Sequence, residues 1–280
     1  MRKHVSTVIF SIIFIAGLSL LLYPSVSDCI NSIHQSKAIT EYAEQVSVLS
    51  EEECRQSMEE AVDYNRSLAA KGNPWSMSDE EKKKYEHALN VSDNGVMSYV
   101  EIPKIHCYLP IYHGTDEGTL QTSIGHIPGT SLPIGGVPSH CVLSGHRGLP
   151  SAKLFSELDK LIIGDQFFIR TLNEEITYEV DQILIVLPEE VDSVKIEQGR
   201  DYCTLVTCTP YGVNSHRLLV RGARVENQRG SHTVRVVSDA IQIEPVIVAP
   251  VVALPILLLL VVMVMMRKPE KNYAKSEVTL

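Results

Sequence analysis

Thr204 to Gly222 reads TLVTCTPYGVNSHRLLVRG, and its pattern organises the rest of the chain. An apolar run ends at Cys208, a turn rich in Pro, Gly and Asn follows, and a second run opens at Arg217. Two such runs around a turn read as adjacent strands, which brings a thiol and a guanidinium to one end of a sheet. Upstream, CVLSGHRG (141–148) places His146 where another short strand, Cys141 to Ser144, enters a glycine-bounded turn. A thiol, an imidazole and a guanidinium at one sheet edge are equipment for acyl transfer. The thiolate attacks a carbonyl, the imidazole shuttles protons, and a cation stabilises the oxyanion.

Each candidate has competitors. A free thiol with a pKa of about 8.5 is mostly protonated at neutral pH, so a reactive one needs a base or a positive charge nearby. Cys208 has both in its sequence context. Among the ten histidines, His113, His126, His140 and His216 lie in or near the same region. His140 opens the strand that His146 closes and reads as structural, while alternation turns His216 away from the face of Arg217. Arg221 and Arg224 lie farther along the strand and read as solvated or paired. Thr207 is a candidate for substrate or oxyanion contact, against a plain β-branched strand residue. Tyr211 and Asn214 are read as loop geometry.

The TLxTC block at Thr204–Cys208, its TPYGxNSHRLLVRG continuation, the SGHRG block and LPSAKLFSELDKL after it resemble the sortases, cysteine transpeptidases that join surface proteins to the Gram-positive envelope. Among them the closest likeness is to class C, the pilin-polymerising enzymes. The resemblance covers roughly residues 99–225. It implies that His146, Cys208 and Arg217 are catalytic, with no cofactor and no metal. It further implies a mainly β fold, a closed β-barrel of about eight strands with short helices.

Length and composition set the frame around that barrel. Residues 5–22, VSTVIFSIIFIAGLSLLL, are uncharged and long enough to span a bilayer, and follow Arg2, Lys3 and His4. An uncleaved anchor is the preferred reading, because Leu20–Pro24 offers no small-x-small cleavage pattern, with a cleaved signal near Ser25-Val26-Ser27 as the alternative. A second apolar run, Pro245 to Met266, stops at Arg267-Lys268 and reads as another membrane helix. Basic flanks on the outer chain ends put both termini in the cytoplasm and the middle outside. The expected location is the cell membrane, two-span, with the catalytic domain extracytoplasmic. A net charge of −9 disfavours nucleic acid as a partner.

The expected organisation is a transmembrane segment (1–26), a helical region (27–95), a catalytic barrel (96–228), a linker (229–244), a second span (245–266) and a tail (267–280). Within the helical region Gln35 to Ala70 lacks proline, and Ser78 followed by Asp-Glu-Glu reads as an N-cap. Seven strands are expected: 97–102, 105–112, 140–144, 166–170, 176–187, 203–208 and 217–225, with short helices at 117–123 and 153–158. Pro188 to Asp201 reads as a surface loop with a turn of helix. Six cysteines lack disulfide or zinc spacing, and Cys107, Cys141 and Cys203 read as buried strand residues, a disulfide among them being the minority reading.

Many class C sortases carry an Asp-Pro-aromatic lid motif ahead of the barrel. This chain has Asn73, Pro74 and Trp75 there, within a loop at 71–77, so the resemblance makes these lid candidates while Asn73 lacks the carboxylate for an ion pair. Leu132-Pro133-Ile134-Gly135-Gly136 superficially resembles an LPxTG sorting signal, but it lacks the threonine and reads as a loop. The implied activity is cleavage of an LPxTG-like signal through a Cys208 thioester and transfer to a pilin lysine. Partners would be LPxTG-type surface proteins or pilin subunits. The alternatives are a sortase of another class, attaching proteins to peptidoglycan, and a non-enzymatic, membrane-tethered pilus assembly scaffold.

Overall fold

The computed structural model describes residues 2–71, 75–92 and 94–227. Helix α1 spans Arg2–Val48. Its part up to Val26 belongs to one unit, and the described residues from Ser27 to Asn227 belong to a second. In α1 the described residues from Ile9 include a stretch long and apolar enough to cross a membrane. The second apolar run, 245–266, with its linker and tail, lies outside the described residues.

The unit from Ser27 is a barrel with helices packed on it. Helical character does continue through the region expected, but α1 stops at Val48 and α2 starts at Glu51, ending at Ala69. The boundary is a capping box that the pattern of apolar residues conceals: Ser50 Oγ accepts from the Glu53 N–H, and the Glu53 carboxylate accepts from the Ser50 N–H. Ser78 caps α3 (Asp79–His87) in the same way. Buried polar groups fasten each helix to the barrel. The Tyr42 hydroxyl donates to the Met97 carbonyl at 3.0 Å and accepts from the Leu172 N–H at 2.8 Å. Asn65 brackets the backbone of Leu132, accepting from its N–H at 2.7 Å and donating to its carbonyl at 3.3 Å. The LPIGG stretch is thus a docking point for α2, with Leu132 fully buried.

The strands are β1 (Val96–Ile102), β2 (Cys107–His113), β3 (Ile124–His126), β4 (Ser139–Gly145), β5 (Gln166–Thr171), β6 (Glu174–Val186), β7 (Asp201–Thr209) and β8 (His216–Val225), with α4 (Glu117–Thr122) between β2 and β3. They close in the order β1-β2-β3-β4-β7-β8-β6-β5. Seven correspond to the sequence expectation within a few residues. The eighth, β3, has three residues and escapes a pattern that needs several alternations to register. The expected helix at 153–158 is instead a set of turns ending in a 3-10 turn at Leu158–Lys160, because Leu154 takes a left-handed conformation, φ 38°, that a right-handed helix cannot contain.

Alternation sorts β4, β7 and β8 into two faces. Cys141, Leu143, Cys203, Leu205, Leu218 and Val220 point into the barrel. On the outer face Val142, Val206 and Leu219 form a separate apolar cluster, flanked by Ile127, Leu184, Val186 and Val194. Val194 belongs to the 3-10 turn Asp192–Val194 in the β6–β7 loop, so that loop folds over the outer face.

Candidate active site

Register alone assembles the site. β4 and β7 are parallel, with Val142 opposite Thr204 and Ser144 opposite Val206. His146 lies two residues past Ser144 and just beyond the end of β4, as Cys208 lies two residues past Val206. β7 and β8 are antiparallel, with Cys208 opposite Arg217. Cys208 and Arg217 are thus paired across β7 and β8, and His146 comes directly after the end of the neighbouring β4, so the three stand in one row at this end of the sheet. The row extends the outer-face cluster, since Cys208 shares the face of Val206, His146 that of Val142, and Arg217 that of Leu219. The apolar floor next to the row lowers the local dielectric, which strengthens charge interactions among the three side chains.

All three residues are half-buried. Among the described residues neither the Cys208 thiol nor the His146 imidazole has a hydrogen-bond partner. Arg217 Nη1 donates to the carbonyls of Asn214 and His216, each at 3.1 Å. These bonds anchor one nitrogen to the turn, where Asn214 sits at φ 59°, and leave the rest of the guanidinium for a substrate oxygen. Among the described residues Arg217 forms no ion pair.

The competitors are committed elsewhere. His113 lies within hydrogen-bond reach of the Gly95 and Ala88 carbonyls, and burial holds its pKa down. His126 is fully buried between Tyr85 and the Ser131 carbonyl. His140 bridges the Lys195 carbonyl and the Thr204 hydroxyl, tying the β6–β7 loop to the sheet. His216 contacts the Ser215 hydroxyl. Arg221 pairs with Asp181 through two bonds of 3.0 and 2.8 Å. All six cysteines are free thiols, and burial pushes Cys107 up to about 12 and Cys203 well above its ordinary value.

Thr207 lies on the opposite face of β7 from Cys208. It is buried and donates its hydroxyl to the Gly145 carbonyl at 2.8 Å. That bond joins β7 to the end of β4 one residue before Cys208. Gly145 itself is required by close approach, since a Cβ there would lie 2.7 Å from both Ile124 Cγ2 and Phe155 Cδ2. The expectation that Tyr211 is only loop geometry changes. Its ring lies against Gly148, where a Cβ would come within 2.7 Å, and under the guanidinium of Arg147. No pattern in the sequence pairs these residues, which are more than sixty positions apart. Of the lid candidates, Asn73 and Pro74 lie outside the described residues, and Trp75 sits in a turn, 39% exposed.

A family model described as the sortase domain matches residues 100–225. The crystal structure of sortase C1 from Streptococcus agalactiae is 51% identical, with a TM-score of 0.67, covering 68% of this chain and 99% of that one. Streptococcus pneumoniae sortase C is 40% identical, with a TM-score of 0.60, covering 68% of this chain and 97% of that one. Sortase D of Bacillus subtilis is 32% identical over 129 residues, 45% of this chain and 62% of that protein. The chain thus spans about three fifths of the length of such curated relatives. With nearly the whole of a 51% identical sortase matched, and the sortase domain model covering residues 100–225, the chain belongs to the sortase family of cysteine transpeptidases.

Proposed function

We propose that this protein is a membrane-anchored transpeptidase of the class C type, which cleaves an LPxTG-like sorting signal and joins the acyl fragment to a lysine of a pilin subunit. The observation that carries the reading is the pairing of Cys208 with Arg217 across β7 and β8, with His146 directly after the adjacent β4, next to an apolar floor. The Cys208 thiolate attacks the Thr carbonyl of the signal, and the carbonyl oxygen becomes an oxyanion opposite the free N–H groups of Arg217. Collapse breaks the Thr–Gly bond as His146 gives its proton to the leaving glycine amine, leaving a thioester on Cys208. A lysine amine then attacks the thioester. Lysine is protonated in bulk water, with a pKa near 10.4, so neutral His146 serves as the base that frees it. The apolar stretch of α1 supplies the anchor, and the barrel faces the envelope.

Support for pilin as the acceptor is the high identity to sortase C1, together with the likeness to the pneumococcal enzyme, which is described in terms of pilin substrate specificity. Trp75, with Asn73 and Pro74, is proposed as a lid over Cys208 on the resemblance of their motif. The test is incubation of the full-length protein in detergent with an LPxTG-terminated pilin, followed by mass spectrometry. A Cys208 thioester and isopeptide-linked ladders, lost when the acceptor lysine is replaced, are expected. Lysine-independent ladders, or products carrying only peptidoglycan fragments, would replace pilus polymerisation by wall attachment, and absence of any thioester would leave only the scaffold reading.

A further inference from the structure

We infer that Arg147 is a positioning residue that clamps the His146 segment to the segment that follows Cys208, an inference that rests on the acyl-transfer reading above. Arg147 follows His146 directly, yet its side chain is only 11% exposed. Nη2 forms an ion pair with Asp159 Oδ2, and the guanidinium carbon stands 5.8 Å from the centroid of the Tyr211 ring. Tyr211 is three residues beyond Cys208, and its ring lies flat on Gly148, at φ 75°, two residues beyond His146. Arg147 therefore links the segment that carries the imidazole to the turn that follows the thiol.

The clamp has a fixed base. The His146 carbonyl accepts from the Phe155 N–H at 3.2 Å, and the Gly148 N–H donates to Ser156 Oγ at 2.9 Å. Asp159 lies in the 3-10 turn held in the core by the fully buried Phe155 and Leu158. The 146–148 segment is thus pinned to the 155–159 segment by two hydrogen bonds and one ion pair, and Tyr211 joins the post-Cys208 turn to that frame. The contact has little to offer folding. Asp159 is 47% exposed and Tyr211 65% exposed, so solvent screens the ion pair from the carboxylate side and limits its contribution. Arg147 Nε is buried with no partner among the described residues, a cost that folding alone does not explain. The benefit lies in holding two loops at a fixed separation, where a displacement of about 1 Å between reacting groups costs on the order of a hundredfold in rate.

The test uses the full-length protein in detergent, a synthetic LPxTG peptide and iodoacetamide, with modification at Cys208 read by peptide mapping. Arg147→Met keeps the bulk and removes the charge. It should lower both the single-turnover acylation rate and the Cys208 alkylation rate by at least about tenfold, with half-saturation by peptide within about twofold. Tyr211→Leu should act in the same direction, and the double variant should be no slower than the slower single one, as for two parts of one device. Tyr211→Phe, which keeps the ring, should recover what Tyr211→Leu loses. Wild-type rates in Arg147→Met, a change confined to half-saturation, or additive losses in the double variant would each overturn the clamp. If Arg147→Met does not fold, Tyr211→Leu decides alone, because its exposed ring is not needed for packing. If the wild-type protein forms no thioester with the peptide, the acyl-transfer reading fails, while the alkylation rates still judge the clamp.

Discussion

Replacing Gly145 by alanine tests whether the end of β4 sets the position of His146. The added methyl would sit 2.7 Å from Ile124 Cγ2 and from Phe155 Cδ2, inside the distance that carbon atoms tolerate. Both neighbours are fully buried, so neither can swing into solvent to make room. Overpacking of this kind costs about 1–3 kcal/mol. At about 2–4 °C per kcal/mol for a domain of this size, the melting midpoint should fall by roughly 2–12 °C. The less costly relaxation is outward movement of β4 at its last residue, which carries His146 away from Cys208. The Thr207–Gly145 bond resists that movement on one side only. Acylation should therefore fall further than stability suggests, by about tenfold or more, since a 1 Å misplacement costs on the order of a hundredfold. Circular dichroism and single-turnover thioester formation read the two quantities on one sample. Phe155→Leu in the same chain frees space beside the methyl and should restore part of both. A Gly145→Ala protein with an unchanged midpoint and an unchanged acylation rate would refute the reasoning.

Cys208→Ala should abolish thioester formation while leaving the midpoint within about 2 °C, because a half-buried thiol at a sheet edge contributes little packing; His146→Ala and Arg217→Ala should be nearly as inactive, and acyl transfer that persists through Cys203 or Cys141 would remove the assignment. Burial holds the pKa values of His113 and His140 below the ordinary imidazole value, so the unfolded chain binds more protons than the folded one as pH falls. Their contribution is present above the unfolded pKa of about 6.5 and is lost as pH falls through the depressed folded values. The midpoint should accordingly drop on acidification from neutrality, with a shallower slope in His113→Gln, and an equal slope in that variant would contradict the argument. Trp75→Ala should speed modification of Cys208 by a small thiol reagent and Asn73→Asp should slow it through an ion pair to Arg217; unchanged labelling in both variants would make Trp75 a packing residue and end the lid reading.

The sequence alone determined the chemistry and most of the strands. Thiol, imidazole and guanidinium each stand at the end of an apolar run beside a Gly- or Pro-bearing turn, and a side chain at a strand end is legible from local pattern. The same holds for seven of the eight strands and for the Ser78 cap. What only the tertiary structure decided is which residues meet across strands. The parallel pairing of β4 with β7 joins residues some sixty positions apart, and it converts three separate motifs into one row on the outer face. That pairing sent Thr207 inward to Gly145, although its neighbour Cys208 faces out, because adjacent residues in a strand take opposite faces and only closure of the barrel says which face is inside. It also brought Tyr211 onto Gly148 and under Arg147, a contact with no local signature. Short-range periodicity records how a segment alternates, whereas register and contacts between distant loops depend on the closed sheet, whose pairing partners no single segment contains.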